Sequence, residues 1–412
     1  MAQISAGWAR QVGCLGVTQI LGYGTIFYAY PILAGSVAQE FDVPETHAYA
    51  VFSTGLLLGG LFASVAGGWL DRFGAPHVMA LGSFLVALLS AALGFAPNFA
   101  VFGALIITLQ ALSFIVLYDA AFAALAVGVP QGTRKAITRL TLIAGFASTL
   151  FWPLTGLMVE QIGWRATYLA FGIAHLGLAL PLHLWLARTS SRQRLDGRET
   201  NAPAPPDWPV LQGQIARRAF WALGASFALT GMAIAALGVH LVPSLIALGL
   251  GSSAYLIGML MGPAQVAVRL VDATIWRNLH PLSVALISGA AIVLALVALL
   301  AAPQGLAFAV AFAILFGAGQ GLASIVRGAV PLALFGASRI GRRLGHLAAL
   351  RNVTGAAAPF AFALSASGLG LGMTVGLTGL IAALGFMLLV ALHLGIRRHI
   401  LQRPSLPVRN RP

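Results

Sequence analysis

The chain has 412 residues, of which 59% are hydrophobic and only 8% charged, against about 25% charged in a soluble domain. A soluble fold of this length needs more surface charge than that. The formal net charge of +14 does not point to nucleic acid, because almost all of the basic residues stand in gaps between apolar blocks, favouring alternate gaps.

The apolar blocks come in chain order with a helical length. Residues 80–95, 284–302 and 373–394 contain no Asp, Glu, Lys or Arg, and an apolar run of about 18 residues or more crosses about 30 Å of hydrocarbon. Lipid offers backbone groups no partner, so each block is predicted to be a helix. Twelve spans are predicted: 12–37, 48–70, 76–95, 100–128, 136–160, 166–186, 218–247, 252–275, 281–301, 305–334, 343–366 and 370–395. Arg10 precedes a full-length span, and no small-residue cleavage site follows a short apolar core, so the first span is expected to remain in the protein. The single cysteine, Cys14, permits no internal disulfide.

The basic residues orient the spans. With the amino terminus in the cytoplasm, the cytoplasmic gaps and tail hold 20 of the 24: Arg10, Arg72, Arg134, Lys135, Arg139, Arg188, Arg192, Arg194, Arg198, Arg217, Arg218, Arg277, Arg339, Arg342, Arg343 and the five arginines of the tail. The outer gaps hold Arg165 alone, and Arg269, Arg327 and Arg351 lie within spans. Basic residues mark the cytoplasmic side, so both termini are expected there, in a bacterial inner membrane. The longest gap contains Asn201-Ala202-Pro203-Ala204-Pro205-Pro206 and no apolar periodicity, and reads as a linker. The expected units are residues 1–187, a linker 188–217, residues 218–396 and a basic tail 397–412.

The halves superimpose in sequence with a shift of about 206 residues: Ala48-Tyr49 falls on Ala254-Tyr255, Arg72-x-x-x-Pro76 lies close to Arg277-x-x-x-Pro281, and Pro153 falls on Pro359. Repeated six-span halves about an axis normal to the membrane are a transporter architecture, with the substrate site between them.

Between spans two and three stands Gly67-Gly68-Trp69-Leu70-Asp71-Arg72-Phe73-Gly74. Gly67 permits close helix approach, Gly74 a tight turn, Asp71 can face the positive end of a neighbouring helix and Arg72 can pair with an acid or a lipid phosphate. This loop resembles the signature of the major facilitator superfamily. The usual basic residues after the second glycine are replaced by Ala75, Pro76 and His77, and the stretch Ile106-Ile107-Thr108 lacks the arginine that many members carry. The resemblance implies an all-α fold of twelve transmembrane helices in two pseudo-symmetric bundles, and a loop that latches the halves in one conformation. Gly163-Trp164-Arg165 before span six fits many members. Gln320-Gly321-Leu322-Ala323-Ser324-Ile325-Val326-Arg327-Gly328 resembles bacterial members related loosely to monocarboxylate porters.

Five ionisable residues lie within spans: Asp119, Arg269, Asp272, Arg327 and Arg351. Each costs about 2.5–3.5 kcal/mol at a helix centre, so each is expected to face a cavity or a partner. Gln265, Arg269, Asp272 and Trp276 fall on one helix face, as do Gln320, Ser324 and Arg327, and Gln19, Tyr23 and Tyr30 are read as one face of span one. Arg269 and Asp272, three apart, are positioned to neutralise each other. Asp119 is the candidate proton carrier or a fixed partner to an arginine. Similar monocarboxylate porters place an Asp and an Arg in span eight, the Arg holding the substrate carboxylate; the order is reversed here, and the resemblance implies Arg269, with Arg327, as the candidate anion site, a guanidinium matching a carboxylate. The alternative for the three arginines is snorkelling to the interface. His240 is read as a packed polar residue. His77, His346, His393 and His399 show no metal-ligand spacing, and no phosphate loop or nucleophile elbow occurs. No metal, cofactor or enzymatic activity is therefore expected.

These features predict a monomeric secondary transporter of a small solute, proton-coupled and suited to an organic anion or monocarboxylate, with lipids and protons as its other partners and no nucleic acid. The alternatives are an efflux pump of the same fold and a sensor that binds without transport.

Overall fold

The structure, a computed structural model, describes residues 2–129, 132–195, 210–251 and 253–401. The proline-rich centre of the predicted linker and the end of the basic tail lie outside these residues. Eleven helical runs are long and apolar enough to cross a membrane. They are α1 (Trp8–Glu40), α2 (Glu45–Phe73), α3 (Ala75–Gly94), α4 (Phe99–Gly128), the run Thr133–Ser190, α7 (Gly213–Leu250), α8 (Leu256–Thr274), α9 (Pro281–Gln304), α10 (Leu306–Phe335), α11 (Ile340–Leu369) and α12 (Leu371–Arg398). The run Thr133–Ser190 has 58 residues, and one straight helix of that length would measure about 87 Å. Gly163, at φ 75° and ψ 166°, breaks it. It is therefore two crossings, α5 before Gly163 and α6 after, which makes the twelve that the apolar pattern predicts.

The crossings alternate between two faces. One carries Arg10, Arg72, Arg134, Lys135, Arg139, Arg188, Arg217, Arg218, Arg277, Arg339, Arg342, Arg343, Arg397 and Arg398, while Arg165 lies at the other. They are called here the basic face and the opposite face.

Apolar side chains gain little by leaving lipid, so the helices associate through close packing and internal hydrogen bonds. Buried glycine and alanine dominate the contact face of α2: Ala48, Gly55, Gly59, Gly60, Ala63, Ala66 and Gly67. Leucines on its other face, such as Leu57, Leu58 and Leu61, are exposed, as lipid-facing residues must be.

Among the irregular helices of the first half, two bear on the cavity. In α1 the turn Tyr23–Tyr28 is wider than an α-helical turn, and the helix resumes at Tyr30. In α4 a tighter turn, Ser113–Ile115, precedes a break at Val116 and Leu117, and helix restarts at Tyr118. Such irregular turns release backbone carbonyls, which need new donors when no water is near. Two buried amides meet that need. Gln19 donates its Nε2–H to the Val116 carbonyl at 2.8 Å, and Gln110 donates to that of Ile26 at 2.7 Å.

Candidate functional site

A cavity of about 400 Å³ lies between the two halves. The break in α4 sets its charged floor. Because helix restarts at Tyr118, Asp119 falls in a first helical turn, where free N–H groups favour a negative charge. Arg351 of α11 reaches it across the halves, Nη2 to Oδ2, at 3.6 Å. Nε, on the same edge of that guanidinium, donates to Asn352 Oδ1 at 3.2 Å. Arg327 of α10 donates to the Tyr23 hydroxyl at 2.8 Å, again across the halves. Its guanidinium lies 4.7 Å from the ring centroid of Tyr118 and 5.8 Å from that of Phe122, a separation at which the ring face attracts a cation. Phe122 fits there because Gly328 has no side chain; a Cβ at that position would overlap the ring. Above the floor, the lining includes Phe27, Phe114 and Phe227 as apolar walls and Gln110, Gln320 and Ser324 as polar groups. Two cations and one anion at the floor leave the cavity one positive charge in excess.

Below the floor, toward the basic face, the halves are joined at two places besides the bond from Arg269 of α8 to the Thr141 carbonyl of α5. Asp71 accepts from the backbone N–H groups of Gly341 and Arg342, both at 2.8 Å, and so caps the start of α11. Gly74, at φ 85°, turns the chain directly after α2. Gly67 is where α2 and α11 touch backbone to backbone, since a Cβ on Gly341 would stand 2.6 Å from the Gly67 carbonyl. The second contact is Asp272 of α8, which is 1% exposed. It accepts from Arg134 at 3.1 Å and from the Thr138 hydroxyl at 2.8 Å, both at the start of α5. Arg134 also donates to the carbonyls of Trp276 and Arg277 at 3.0 and 3.3 Å, where α8 ends. The two contacts are of opposite sense: an acid of the first half caps a helix start, and a base of the first half caps a helix end. Among the described residues, every hydrogen bond or ion pair found between the halves lies at the cavity floor or nearer the basic face, and Phe27 above the floor is exposed. The cavity is thus closed toward the basic face and open toward the opposite one.

Comparison with known proteins agrees with this architecture. The family model for the Major Facilitator Superfamily matches residues 15–359. The chain belongs to the major facilitator superfamily. Among solved structures, this facilitator is similar to the human organic anion transporter MFSD10, with a TM-score of 0.72, 17% identity and coverage of 93% of this chain and 99% of that one. The proton:xylose symporter XylE bound to 6-bromo-6-deoxy-D-glucose gives 0.69 at 13% identity, covering 94% and 96%. The transporter FucP in its outward conformation gives 0.63 at 13% identity, covering 94% and 99%. At these identities the likeness is one of fold. Comparison with curated protein sequences finds no match.

The facilitator brings together some of the residues singled out in its sequence and separates others. Asp119, Arg327, Arg351, Gln320 and Tyr23 share the cavity. Gln265 stands behind Gln320 and donates to its Oε1 at 2.6 Å. Gln19 is buried against Val116, and Tyr30 leaves the predicted face altogether. The wide turn in α1 shifts the helical register, so Tyr30 donates to the Ala48 carbonyl at 2.6 Å and stacks on Phe52 at 4.5 Å. The expected pairing of Arg269 with Asp272 is also absent. Asp272 is taken by Arg134 and Thr138, while Arg269, 6% exposed, donates to the carbonyls of Gly321 and Thr141 at 3.4 and 3.3 Å. Spacing on one helix permitted the pair, but the start of α5 offers Asp272 two donors at once. Neither Arg327 nor Arg351 snorkels, because each finds its partners inside the bundle. Arg72 is exposed and lies over Phe73 at 5.2 Å.

Sequence reasoning passed over several polar residues. Arg134 was counted only as a marker of orientation. Gln110 was hidden as one amide in an apolar span, and Asn352 follows an arginine that drew the attention. His175 donates to the Thr25 hydroxyl at 2.8 Å, since Thr25 already donates to the Leu21 carbonyl. His183 likewise bridges Ser83 and Thr18 at 2.7 and 3.0 Å. Their spacing of eight residues in α6, against seven between Thr18 and Thr25 in α1, is the signal that marks this buried seam. His240 hydrogen-bonds the Pro359 carbonyl at 2.9 Å and stacks on Phe362, as a packed histidine does.

Proposed function

We propose that this facilitator carries a small organic anion, a monocarboxylate in the simplest case, by alternating access coupled to protons. The observation that carries the reading is the ion pair between Asp119 and Arg351 beside Arg327, in a cavity with one positive charge in excess. An ionised Asp119 occupies Arg351. A proton on Asp119 removes the charge that holds the guanidinium, and a substrate carboxylate then takes its place in the same planar fork. Proton and anion enter together without changing the net charge of the site. In the family, the loop of Gly67, Asp71, Arg72 and Gly74 latches the halves. Here the contact of Asp71 with α11 and that of Arg134 with Asp272 would both part when the basic face opens.

The excess of basic residues at one face supports a cytoplasmic position for that face and for both termini, in a bacterial inner membrane. The chain works as a monomer of two units, residues 1–187 and 218–396, joined by 188–217 and followed by the tail 397–412. The aromatic walls also favour amphipathic anions, and export of these is the second reading; it would appear as resistance when the chain is expressed in a sensitive strain.

The test uses purified protein in vesicles with an imposed pH gradient and a panel of labelled carboxylates. Uptake driven by the gradient in the wild type, and lost with Asp119→Asn while gradient-independent exchange persists, is the expected result. Transport indifferent to the gradient and unimpaired by Asp119→Asn removes proton coupling. Binding without flux makes the protein a sensor.

A further inference from the structure

The cavity has a second polar point that the charged floor does not use. Gln320 and Arg327 both line it, seven residues apart on one face of α10, which places Gln320 about 10 Å nearer the opposite face along the helix axis. Gln320 is not left to rotate. Gln265 of α8 donates to its Oε1 at 2.6 Å, and Gln265 is not itself part of the lining. With one lone pair of the amide oxygen engaged from behind, the NH2 group of Gln320 is offered to the cavity as a donor. Asn352 follows the same pattern at the floor: its oxygen receives Arg351 Nε, which leaves its amide NH2 group free. The intervening walls are Phe27, Phe114 and Phe227. The fixed amides and guanidinium groups of the second half are therefore all donors. Such a set suits an oxyanion with a further acceptor.

We propose that the carried anion has two recognition points: an oxyanion head held at Arg327 and Arg351, and a neutral hydrogen-bond acceptor such as a carbonyl, received by Gln320 across an apolar body. Gln265 is the positioning residue that turns the Gln320 amide. This proposal rests on the anion reading above and extends it to the shape and chemistry of the substrate.

The experiment compares two probes of nearly equal shape, 4-acetylphenylacetate and 4-isopropylphenylacetate, which differ in one carbonyl. Their dissociation constants are measured by calorimetry on the full chain in nanodiscs, for the wild type, Gln320→Leu, Gln320→Glu and Gln265→Leu. One neutral hydrogen bond corresponds to a preference of about threefold to tenfold for the acetyl compound in the wild type. Gln320→Leu is expected to bring that preference to about one or below, and an unchanged thermal unfolding temperature shows that the variant is folded. Gln320→Glu, with no donor, is expected to reverse the preference. Gln265→Leu is expected to reduce the preference mainly by weakening the acetyl compound, an effect that a merely structural role would spread equally over both probes. Equal affinity of the wild type for both probes, or a preference that survives Gln320→Leu, overturns the two-point proposal and leaves the anion reading standing. If neither carboxylate binds the wild type, the anion reading fails and the proposal falls with it.

Discussion

At the scale of single residues, the charges inside this bundle are held by partners of three kinds: an opposite charge, a hydroxyl and backbone carbonyls. Asp119 and Arg351 show the first, Arg327 and Tyr23 the second, Arg269 the third. Removing one member of a buried pair leaves the other uncompensated, whereas removing both does not. Asp119→Asn and Arg351→Gln are each expected to lower stability by about 3 kcal/mol, and the double variant by less than either. Thermal unfolding in detergent measures this, and additive losses in the double variant would show that the pair does not interact. A second prediction concerns His280, which caps α9 by accepting from the Leu282 N–H at 3.1 Å. Burial, then the charges of Arg134 and His393, push its pKa down to about 4, against about 6.5 in an unfolded chain. The folded state thus takes up its proton later than the unfolded state. The stabilising contribution is complete above pH 6.5 and is lost as pH falls from there toward 4. His280→Asn, which caps without titrating, is expected to flatten that part of the stability profile. An unchanged profile in the variant would exclude His280 as the source.

At the scale of elements, the contact between α2 and α11 decides whether the basic face is shut. Asparagine packs on glycine at one end of it, where a Cβ on Gly60 would stand 2.8 Å from Asn352 Cβ, and glycine packs on glycine at the other. Between them, a Cβ on Gly345 would overlap the Ala63 carbonyl. Backbone cannot yield as a flexible side chain does, so Gly345→Leu is expected to force the two helices apart and favour the state open to the basic face. Leu70, 3% exposed on α2, reports this. In a Cys14→Ser background, Leu70→Cys is expected to react slowly with a maleimide, and about tenfold faster or more when Gly345→Leu is added. Equal rates would mean that the contact is not the closure. Irregular turns also decide where two side chains stand. A wide turn in α1 turned Tyr30 away from Gln19 and Tyr23, and a break in α4 turned Asp119 toward α11.

At the scale of the whole molecule, polar contacts between the halves gather on one side of the cavity. The structure therefore presents the site to the opposite face, the outer one in the proposed orientation. With Cys14→Ser, a cysteine in place of Gln320 is expected to react with a membrane-impermeant thiol reagent added to intact cells. It is expected to be protected in inside-out vesicles. Labelling from the cytoplasmic side alone would reverse either the orientation or the assignment of the open face.

Much of this architecture was legible in the chain itself. Apolar block length marks the crossings, because a helix must be about as long as the hydrocarbon is thick. The 206-residue shift marks two repeated halves, and the loop from Gly67 to Gly74 names the family. Arginine and aspartate inside apolar blocks mark the charges that the bundle must hold internally, because lipid does not tolerate a lone charge. What the sequence by itself determined is thus everything that depends on position along one helix and on the contrast between lipid and water. The tertiary structure alone decided which charge meets which. Asp272 had Arg269 within reach on its own helix and bonded instead to Arg134, 138 residues away in the chain. Partner choice in a bundle depends on how neighbouring helices are rotated about their axes. That rotation follows from irregular turns such as Tyr23–Tyr28 and from glycine contacts such as Gly67 with Gly341, which no periodicity along a single helix records.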